Sequence, residues 1–219
     1  MELVGKKNDF LGDSITEGSG TSGGAARFTE VMRQRYGLAA ARNYGIGGTR
    51  FAHQIVPSES PITDRDFCVR VEELDPDADI VVVFGGTNDY GHGDAPFGAP
   101  EDRTADTFCG ACHELYTKLK EKFPKAVILI VTPIHRTNDE STGGDGREQA
   151  PRPPLREYVR VIRETAELYK LPLLNLFDTN VLDPNEPEIR ERFVPDGLHP
   201  NDAGHLILAE QISTFLQLL

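Results

Sequence analysis

A serine near the start of the chain lies where its hydroxyl could act as a nucleophile. Ser14 belongs to the glycine-containing stretch from Phe10 to Gly18, and the residues before it, Asn8 to Leu11, are typical of a short strand. The glycines end that strand, so Ser14 falls at a strand-to-turn-to-helix junction, where a hydroxyl stands clear of the core beside converging backbone N–H groups. The same residues could instead form a turn that caps the next helix.

A histidine near the other end of the chain could supply the base that such a serine needs. Asp196 and His199 lie three residues apart in a loop, ahead of a helical pattern with one apolar stripe for which Asn201 is a suitable N-cap. A serine hydroxyl becomes a good nucleophile when a positioned imidazole accepts its proton, and a carboxylate can orient that imidazole. Without a partner, a histidine in such a loop is an ordinary surface residue.

Two further junctions could stabilise a negative charge that develops during a reaction. The strand predicted over Ala41–Tyr44 runs into the glycine-rich segment 45–50, and the strand predicted over Asp79–Phe84 runs into Gly85–Asp89. Glycine allows backbone to approach a ligand closely, and an unobstructed N–H is what an anion-stabilising site requires. A plain tight turn is the alternative interpretation of each segment.

The elements that must position these residues alternate between strands and helices. Further strands are predicted over Ala126–Val131 and, more weakly, Leu173–Leu176. Helices are predicted from about Ala25 to Gly37 and over Arg65–Leu74, Thr104–Phe123 and Leu155–Tyr169. This alternation implies βαβ units and a parallel sheet, in which ligands bind beyond the carboxyl ends of the strands. The long segments 90–103 and 134–154 leave those ends, and we interpret them as rims of the site.

Size and charge narrow the class of protein. The 219 residues fit a single domain over 1–219, and the net charge of −12 argues against nucleic acid or an anionic membrane as partner. No apolar run is long enough to cross a membrane and no export signal is recognisable, so the expected location is cytoplasmic. Cys68, Cys109 and Cys112 are expected to be free thiols, with Cys112 in the core.

Taken together, these segments resemble one known family. Four short segments follow one another in the order and rough spacing of the SGNH (GDSL-type) hydrolases. They are Gly12-Asp13-Ser14, the glycines of segment 43–48, Gly86-Thr87-Asn88-Asp89 and Asp196-Gly197-Leu198-His199. The resemblance extends from Asn8 to the C-terminal helix. The first block ends in Ile15 where the family's name has leucine, which is a conservative difference, and Thr49-Arg50 after the second block also departs from the family pattern.

The resemblance implies a fold, an activity and roles for particular residues. It implies a flavodoxin-like three-layer α/β/α sandwich with about five parallel strands and a serine esterase or acyl hydrolase that works through an acyl-enzyme, with no metal or cofactor. Carried over by position, Ser14 is the nucleophile, His199 its base and Asp196 the residue that orients His199. The implied oxyanion hole comprises the backbone N–H groups of Ser14 and Gly48 and the side-chain amide of Asn88.

Substrate identity stays open at this point. The polar rim segments favour a small ester with a short acyl group on a polar carrier, such as an acetylated saccharide, and a lipase or lysophospholipase is the alternative. A flavodoxin-type FMN electron carrier is the alternative from another class, because segment 14–21 could wrap a phosphate. Candidate substrate-binding residues are Asp13, Arg50, His92 and His135. The oligomeric state is left unassigned.

Overall fold

Five parallel strands form the central sheet of the computed structural model, which describes residues 1–145 and 152–219. The strands are β1 (Lys7–Gly12), β2 (Ala40–Gly45), β3 (Ile80–Phe84), β4 (Val127–Val131) and β5 (Leu173–Leu174). Their spatial order is β2-β1-β3-β4-β5, the order of flavodoxin-like folds. The predicted α/β class with a flavodoxin-like parallel sheet is confirmed.

The register of the sheet brings the carboxyl ends of four strands level with one another. Gly12 pairs with Gly45 on one side and with Phe84 on the other, and Phe84 pairs with Val131. The junctions that follow these residues in the sequence therefore emerge along one edge of the sheet. This is the edge at which ligands bind in open parallel sheets.

Helices cover both faces of the sheet. Their bounds are α1 (Ser14–Glu17), α2 (Phe28–Tyr36), α3 (Phe67–Arg70), α4 (Thr87–Gly91), α5 (Phe108–Lys122), α6 (Leu155–Leu168), α7 (Pro187–Phe193) and α8 (Asp202–Leu218). Among the described residues, none of these helices has the length and apolarity needed to cross a bilayer.

Two hydrophobic cores follow from the alternation of side chains along β3. Val81 and Val83 face the core that includes residues of α3, α5 and α6. Val82 and Phe84 face the other core, which includes residues of α2 and α8. Every residue of β3 is buried, as expected for a strand covered on both faces. Helix layers on either side of one sheet make the three-layer arrangement that the resemblance implied.

Several element boundaries differ from the prediction. The helix predicted over Arg65–Leu74 is a short α3 followed by a separate 3₁₀ turn, Val71–Glu73. The helix predicted from Thr104 begins at Phe108, because the Thr107 side chain caps it by accepting from the Gly110 N–H. The helix predicted from about Ala25 begins at Phe28, after a 3₁₀ turn at Gly24–Ala26.

The two predicted rim segments also differ in detail. Segment 90–103 begins inside α4, which ends at Gly91. Of the segment 134–154, residues 146–151 lie outside the described residues. Its first part reaches the loop before α8, where the Thr137 N–H donates to the Gly197 carbonyl at 2.8 Å. That contact joins the segment that follows β4 to the loop containing Asp196 and His199.

Candidate active site

Ser14 and His199 meet at the carboxyl edge of the sheet. Ser14 is the first residue of α1, directly after β1, and its Oγ lies 3.0 Å from His199 Nε2. Asp13 caps α1, with its carboxylate accepting from the Ile15 N–H at 3.0 Å. The predicted turn that caps the next helix is thus present as well, because Asp13 supplies the cap while Ser14 faces the histidine.

His199 is oriented from its other side by Asp196. Its Nδ1 lies 2.7 Å from Asp196 Oδ2, and Asp196 Oδ1 accepts the backbone N–H groups of Leu198 at 2.9 Å and His199 at 2.7 Å. Partial burial works to raise the pKa of Asp196, but these hydrogen bonds outweigh it and hold the pKa below its usual value. An ionised Asp196 accepts from Nδ1–H, which leaves Nε2 as the acceptor for the Ser14 hydroxyl.

Three possible donors to a bound anion belong to the same edge. Among the described residues, neither the Ser14 nor the Gly48 backbone N–H donates to another group. Asn88 is buried in the first turn of α4, and its Nδ2 donates one hydrogen to the Thr49 carbonyl at 3.0 Å. An amide NH₂ has two hydrogens, so one remains for a ligand.

Glycines let the second junction lie against the first. A Cβ on Gly45 would fall 2.1 Å from the backbone nitrogen of Glu17, and a Cβ on Gly47 would fall 2.9 Å from Glu17 Oε2. Gly48 has φ +76°, a left-handed conformation that side chains other than glycine rarely adopt. The close packing of the two junctions therefore depends on these glycines.

The four candidate substrate-binding residues are placed differently from one another. Asp13 is buried behind Ser14, and burial raises its pKa to about 6. Arg50 is also buried, and it donates to the Thr63 carbonyl at 3.0 Å, lies 3.3 Å from an Asp64 oxygen, and has Nη1 3.3 Å from His92 Nδ1. Arg50 and His92 are thus brought together, beside the junction that contains Gly48.

His135 belongs to a different cluster, after β4. Its ring stacks on Phe177 with centroids 3.8 Å apart, and its Nδ1 lies 2.6 Å from Asp139 Oδ2. Burial works to lower the pKa of His135, but the hydrogen bond to Asp139 and the nearby negative charges outweigh it and raise the pKa. As substrate contacts, all four residues stay predictions.

Three residues that support the site were not identified from the sequence. Glu17 accepts the Gly47 N–H at 2.9 Å. Asp89 accepts the N–H groups of Phe51 and Ala52 at 3.0 and 2.9 Å, and burial raises its pKa to about 7. Arg70 lies under the first two junctions and is fully buried. Asp89 lies within a motif block and Glu17 lies two residues after one, but no local pattern in the sequence indicates which backbone N–H groups these two side chains accept.

Other reactive side chains lie away from this edge. Cys68, Cys109 and Cys112 are buried and free, and burial raises the pKa of each thiol. Within residues 1–145 and 152–219, no group of three or more His, Cys, Asp and Glu side chains is arranged to hold a metal ion. The contacts of His199 with Ser14 and Asp196 are those that would let a histidine activate a serine.

Comparison with known proteins gives consistent matches across the chain. The sequence pattern of the GDSL-like lipase/acylhydrolase family matches residues 10–207. GDSL lipase Rv0518 of Mycobacterium tuberculosis is 27% identical over 213 residues, which cover 95% of this chain and 80% of that protein.

Solved structures match over similar lengths. A protein from Lactobacillus plantarum superposes with a TM-score of 0.83 at 28% identity, covering 98% of both chains. A mutant of Axe2, an acetyl-xylooligosaccharide esterase from Geobacillus, superposes with a TM-score of 0.65 at 20% identity, covering 98% of this chain and 96% of that one. The second likeness shows a shared fold.

Proposed function

The chain belongs to the GDSL-like lipase/acylhydrolase family and is a carboxylic ester hydrolase, and from that premise we propose that it removes short acyl groups from a polar carrier such as an acetylated saccharide. The observation that supports ester hydrolysis by a serine most directly is the hydrogen-bonded chain from Ser14 through His199 to Asp196, with contacts of 3.0 and 2.7 Å. The family assignment contradicts the electron-carrier alternative.

In the proposed reaction Ser14 is the nucleophile. Its Oγ attacks the acyl carbon while its proton passes to His199 Nε2, and Asp196 stabilises the imidazolium that forms. The tetrahedral intermediate collapses as His199 returns the proton to the leaving alkoxide, which gives the acyl-enzyme and the free alcohol. A water molecule then attacks the acyl carbon as its proton passes to His199 Nε2. The second tetrahedral intermediate collapses as His199 returns that proton to Ser14 Oγ, which breaks the acyl–Oγ bond and releases the carboxylic acid.

The proposed oxyanion hole comprises the Ser14 and Gly48 N–H groups and Asn88 Nδ2. Support comes from the two backbone donors having no acceptor among the described residues, and from the second hydrogen of the Asn88 amide. Donors that are held in place before the charge develops need no reorganisation at the moment of reaction. Both tetrahedral intermediates would use the same three donors.

Support for an acetylated saccharide comes from the polar character of the rim and from a fold shared with an esterase named for acetylated xylo-oligosaccharides. Rim segment 90–103 contains His92, whose Nδ1 lies 3.3 Å from Nη1 of the buried Arg50, and rim segment 134–154 contains His135. In this proposal these side chains, with Asp13 behind the nucleophile, orient or surround a polar carrier. The carrier would be neutral, since the chain bears a net charge of −12.

One observation favours longer acyl chains instead. Ile55, Val56 and Ile62 expose 58%, 65% and 53% of their surface. Ile62 directly precedes Thr63, whose Cβ lies 3.7 Å from the position of a Cβ built on Gly48. Exposed aliphatic side chains beside a proposed oxyanion hole could contact an alkyl chain. A lipase or lysophospholipase is therefore the second candidate.

A substrate panel separates the two candidates. Wild type and Ser14→Ala are assayed on acetylated saccharides and on p-nitrophenyl esters from acetate to palmitate. We expect kcat/KM to be highest for acetyl esters and activity to be lost in Ser14→Ala. A preference for long acyl chains would favour the lipase, and an active Ser14→Ala enzyme would remove Ser14 from the mechanism.

A further inference from the structure

Arg70 is a buried arginine that lies beneath the site without touching its surface. It is the last residue of α3 and exposes 1% of its surface. The Phe67 ring lies 5.2 Å from its guanidinium carbon. Because 1% of its surface is exposed and both of its terminal nitrogens donate to protein groups, Arg70 presents no donor to an ester. Any effect on the reaction must therefore pass through the groups that it holds.

The guanidinium bonds to both glycine-rich junctions at once. Nη1 and Nη2 each donate to the Gly12 carbonyl at 3.2 Å, Nη2 also donates to the Tyr44 carbonyl, and Nη1 donates to Thr49 Oγ1 at 2.8 Å. Gly12 ends β1, two residues before Ser14, whereas Tyr44 and Thr49 lie on either side of segment 45–48. One planar side chain therefore spans the ends of two neighbouring strands.

The same contacts extend to the third proposed donor. The Thr49 carbonyl accepts from Asn88 Nδ2 at 3.0 Å, and the Thr49 hydroxyl accepts from Arg70 and donates to the Ile46 carbonyl at 2.7 Å. Thr49 thus connects Arg70 to Asn88 and to the loop that contains Gly48. A planar fork with five N–H donors can make such a set of contacts, whereas a single ammonium group cannot.

The charge of Arg70 is not neutralised by an adjacent carboxylate. Among the described residues no Asp or Glu oxygen lies within ion-pair distance of its guanidinium. Burial lowers its pKa to about 10, so the side chain stays protonated at neutral pH. Burying an unpaired cation is costly, and groups retained at such a cost are concentrated at functional sites.

We propose that Arg70 is a positioning residue for acyl transfer, which holds the Ser14 and Gly48 N–H groups and the Asn88 amide at the separations that the oxyanion requires. The proposal rests on the function proposed above for those three donors. Because the donors act on the tetrahedral intermediates more than on the bound ester, misplacing them would lower kcat and leave KM nearly unchanged.

The test compares Arg70→Lys and Arg70→Met with wild type on p-nitrophenyl acetate, at a temperature where circular dichroism shows each variant folded. We expect kcat to fall by about 10-fold or more in both variants, with KM changed less than about threefold. The control is Leu115→Ala, which creates a cavity at a fully buried position of α5. It should lower the melting temperature and leave kcat unchanged.

Any of three results would overturn the proposal. They are wild-type kcat in folded Arg70→Lys, an effect of the Arg70 substitutions on KM alone, and a loss of kcat in Leu115→Ala equal to that in the Arg70 variants. If Arg70→Met does not fold, Thr49→Val and Thr49→Ser provide the second measurement. Thr49→Val should lose kcat and Thr49→Ser should retain it, whereas a fully active Thr49→Val would overturn the proposal. If wild type hydrolyses p-nitrophenyl acetate but not acetylated saccharides, that result would contradict only the proposed substrate.

Discussion

Ser14 and His199 are 185 residues apart in the chain and 3.0 Å apart across their hydrogen bond. Neither side chain is unusual alone, since a serine hydroxyl is a weak nucleophile and an exposed imidazole has no fixed direction. Their contact, with Asp196 behind the histidine at 2.7 Å, gives each of them a defined chemical role. At the scale of the residue, the proposed activity depends on three side chains and on the donors that face them.

Asn88 provides the sharpest test at this scale. Asn88→Ala should lower kcat on p-nitrophenyl acetate by about 10²–10³, because one oxyanion donor is lost. It should lower the free energy of unfolding by only about 1 kcal/mol, because one hydrogen bond, to the Thr49 carbonyl, is lost as well. Steady-state kinetics and urea unfolding measure the two effects separately.

Asn8→Ala is the matched control for Asn88→Ala. Asn8 is a buried asparagine in the same sheet, but it lies near the start of β1, away from the carboxyl edge. This variant should keep wild-type kcat. Full activity in Asn88→Ala would remove Asn88 from the oxyanion hole.

At the scale of the element, the N-terminus of α8 holds the loop that contains His199. Asn201 follows His199-Pro200, and its Oδ1 accepts the N–H groups of Ala203 and Gly204, each at 3.1 Å. Its Nδ2 donates to the Arg192 carbonyl at 2.9 Å, which joins the cap to α7. The cap therefore fixes where the loop that contains His199 ends and where α8 begins.

Asn201→Ala should lower the free energy of unfolding by about 1 kcal/mol, because two helix N–H groups lose their acceptor. We also expect kcat to fall, since His199 is two residues before the cap. Asn201→Asp retains the acceptor and should recover most of the lost stability. Chemical denaturation of the three proteins measures this, and equal stability of Asn201→Ala and wild type would show that the cap contributes little.

At the scale of the whole molecule, the two cores on either side of the sheet include polar groups that titrate. His205 of α8 is fully buried in the core shared with α2, where its Nδ1 accepts the Phe28 N–H at 3.1 Å and its ring stacks on Phe28. Burial lowers the pKa of His205 from 6.5 to about 4. The folded protein therefore holds this imidazole neutral at pH values where an unfolded chain would protonate it.

This difference predicts that acid weakens the fold through His205. The stability that neutral, buried His205 contributes to the fold is fully present above pH 6.5 and is lost as the pH falls towards about 4. In that interval only the unfolded chain takes up a proton at this histidine. Between pH 7 and pH 5 the loss should be about 2 kcal/mol. Asp13 and Asp89, whose pKa values burial raises to about 6 and about 7, work in the opposite direction.

Comparison with His205→Asn isolates the contribution of this histidine. Asparagine can still accept the Phe28 N–H through its oxygen but does not titrate. The unfolding free energy of His205→Asn should therefore fall less between pH 7 and pH 5 than that of wild type. Identical pH dependence in wild type and His205→Asn would contradict the assignment.

Local patterns along the chain were enough to predict the elements that present the site. The β-branched run in β3 is typical of a strand buried on both faces. Glycines at or directly after the ends of β1, β2 and β3 favour a junction there. Asn201 was predicted as the cap of α8 for a similar reason, since its side chain bonds to backbone within three residues. These features depend on near neighbours, which a sequence displays directly.

Contacts between distant segments required the folded structure. Three features depend on how helices pack on the sheet. They are the burial of Arg70 beneath two strand ends, the 3.0 Å distance from Ser14 Oγ to His199 Nε2 and the two-residue length of β5. Packing energies are summed over many residues from separate parts of the chain, and no local spacing encodes that sum. The residue types at the site could therefore be predicted from the sequence, whereas their distances, and the arginine that we propose positions them, became visible in the tertiary structure.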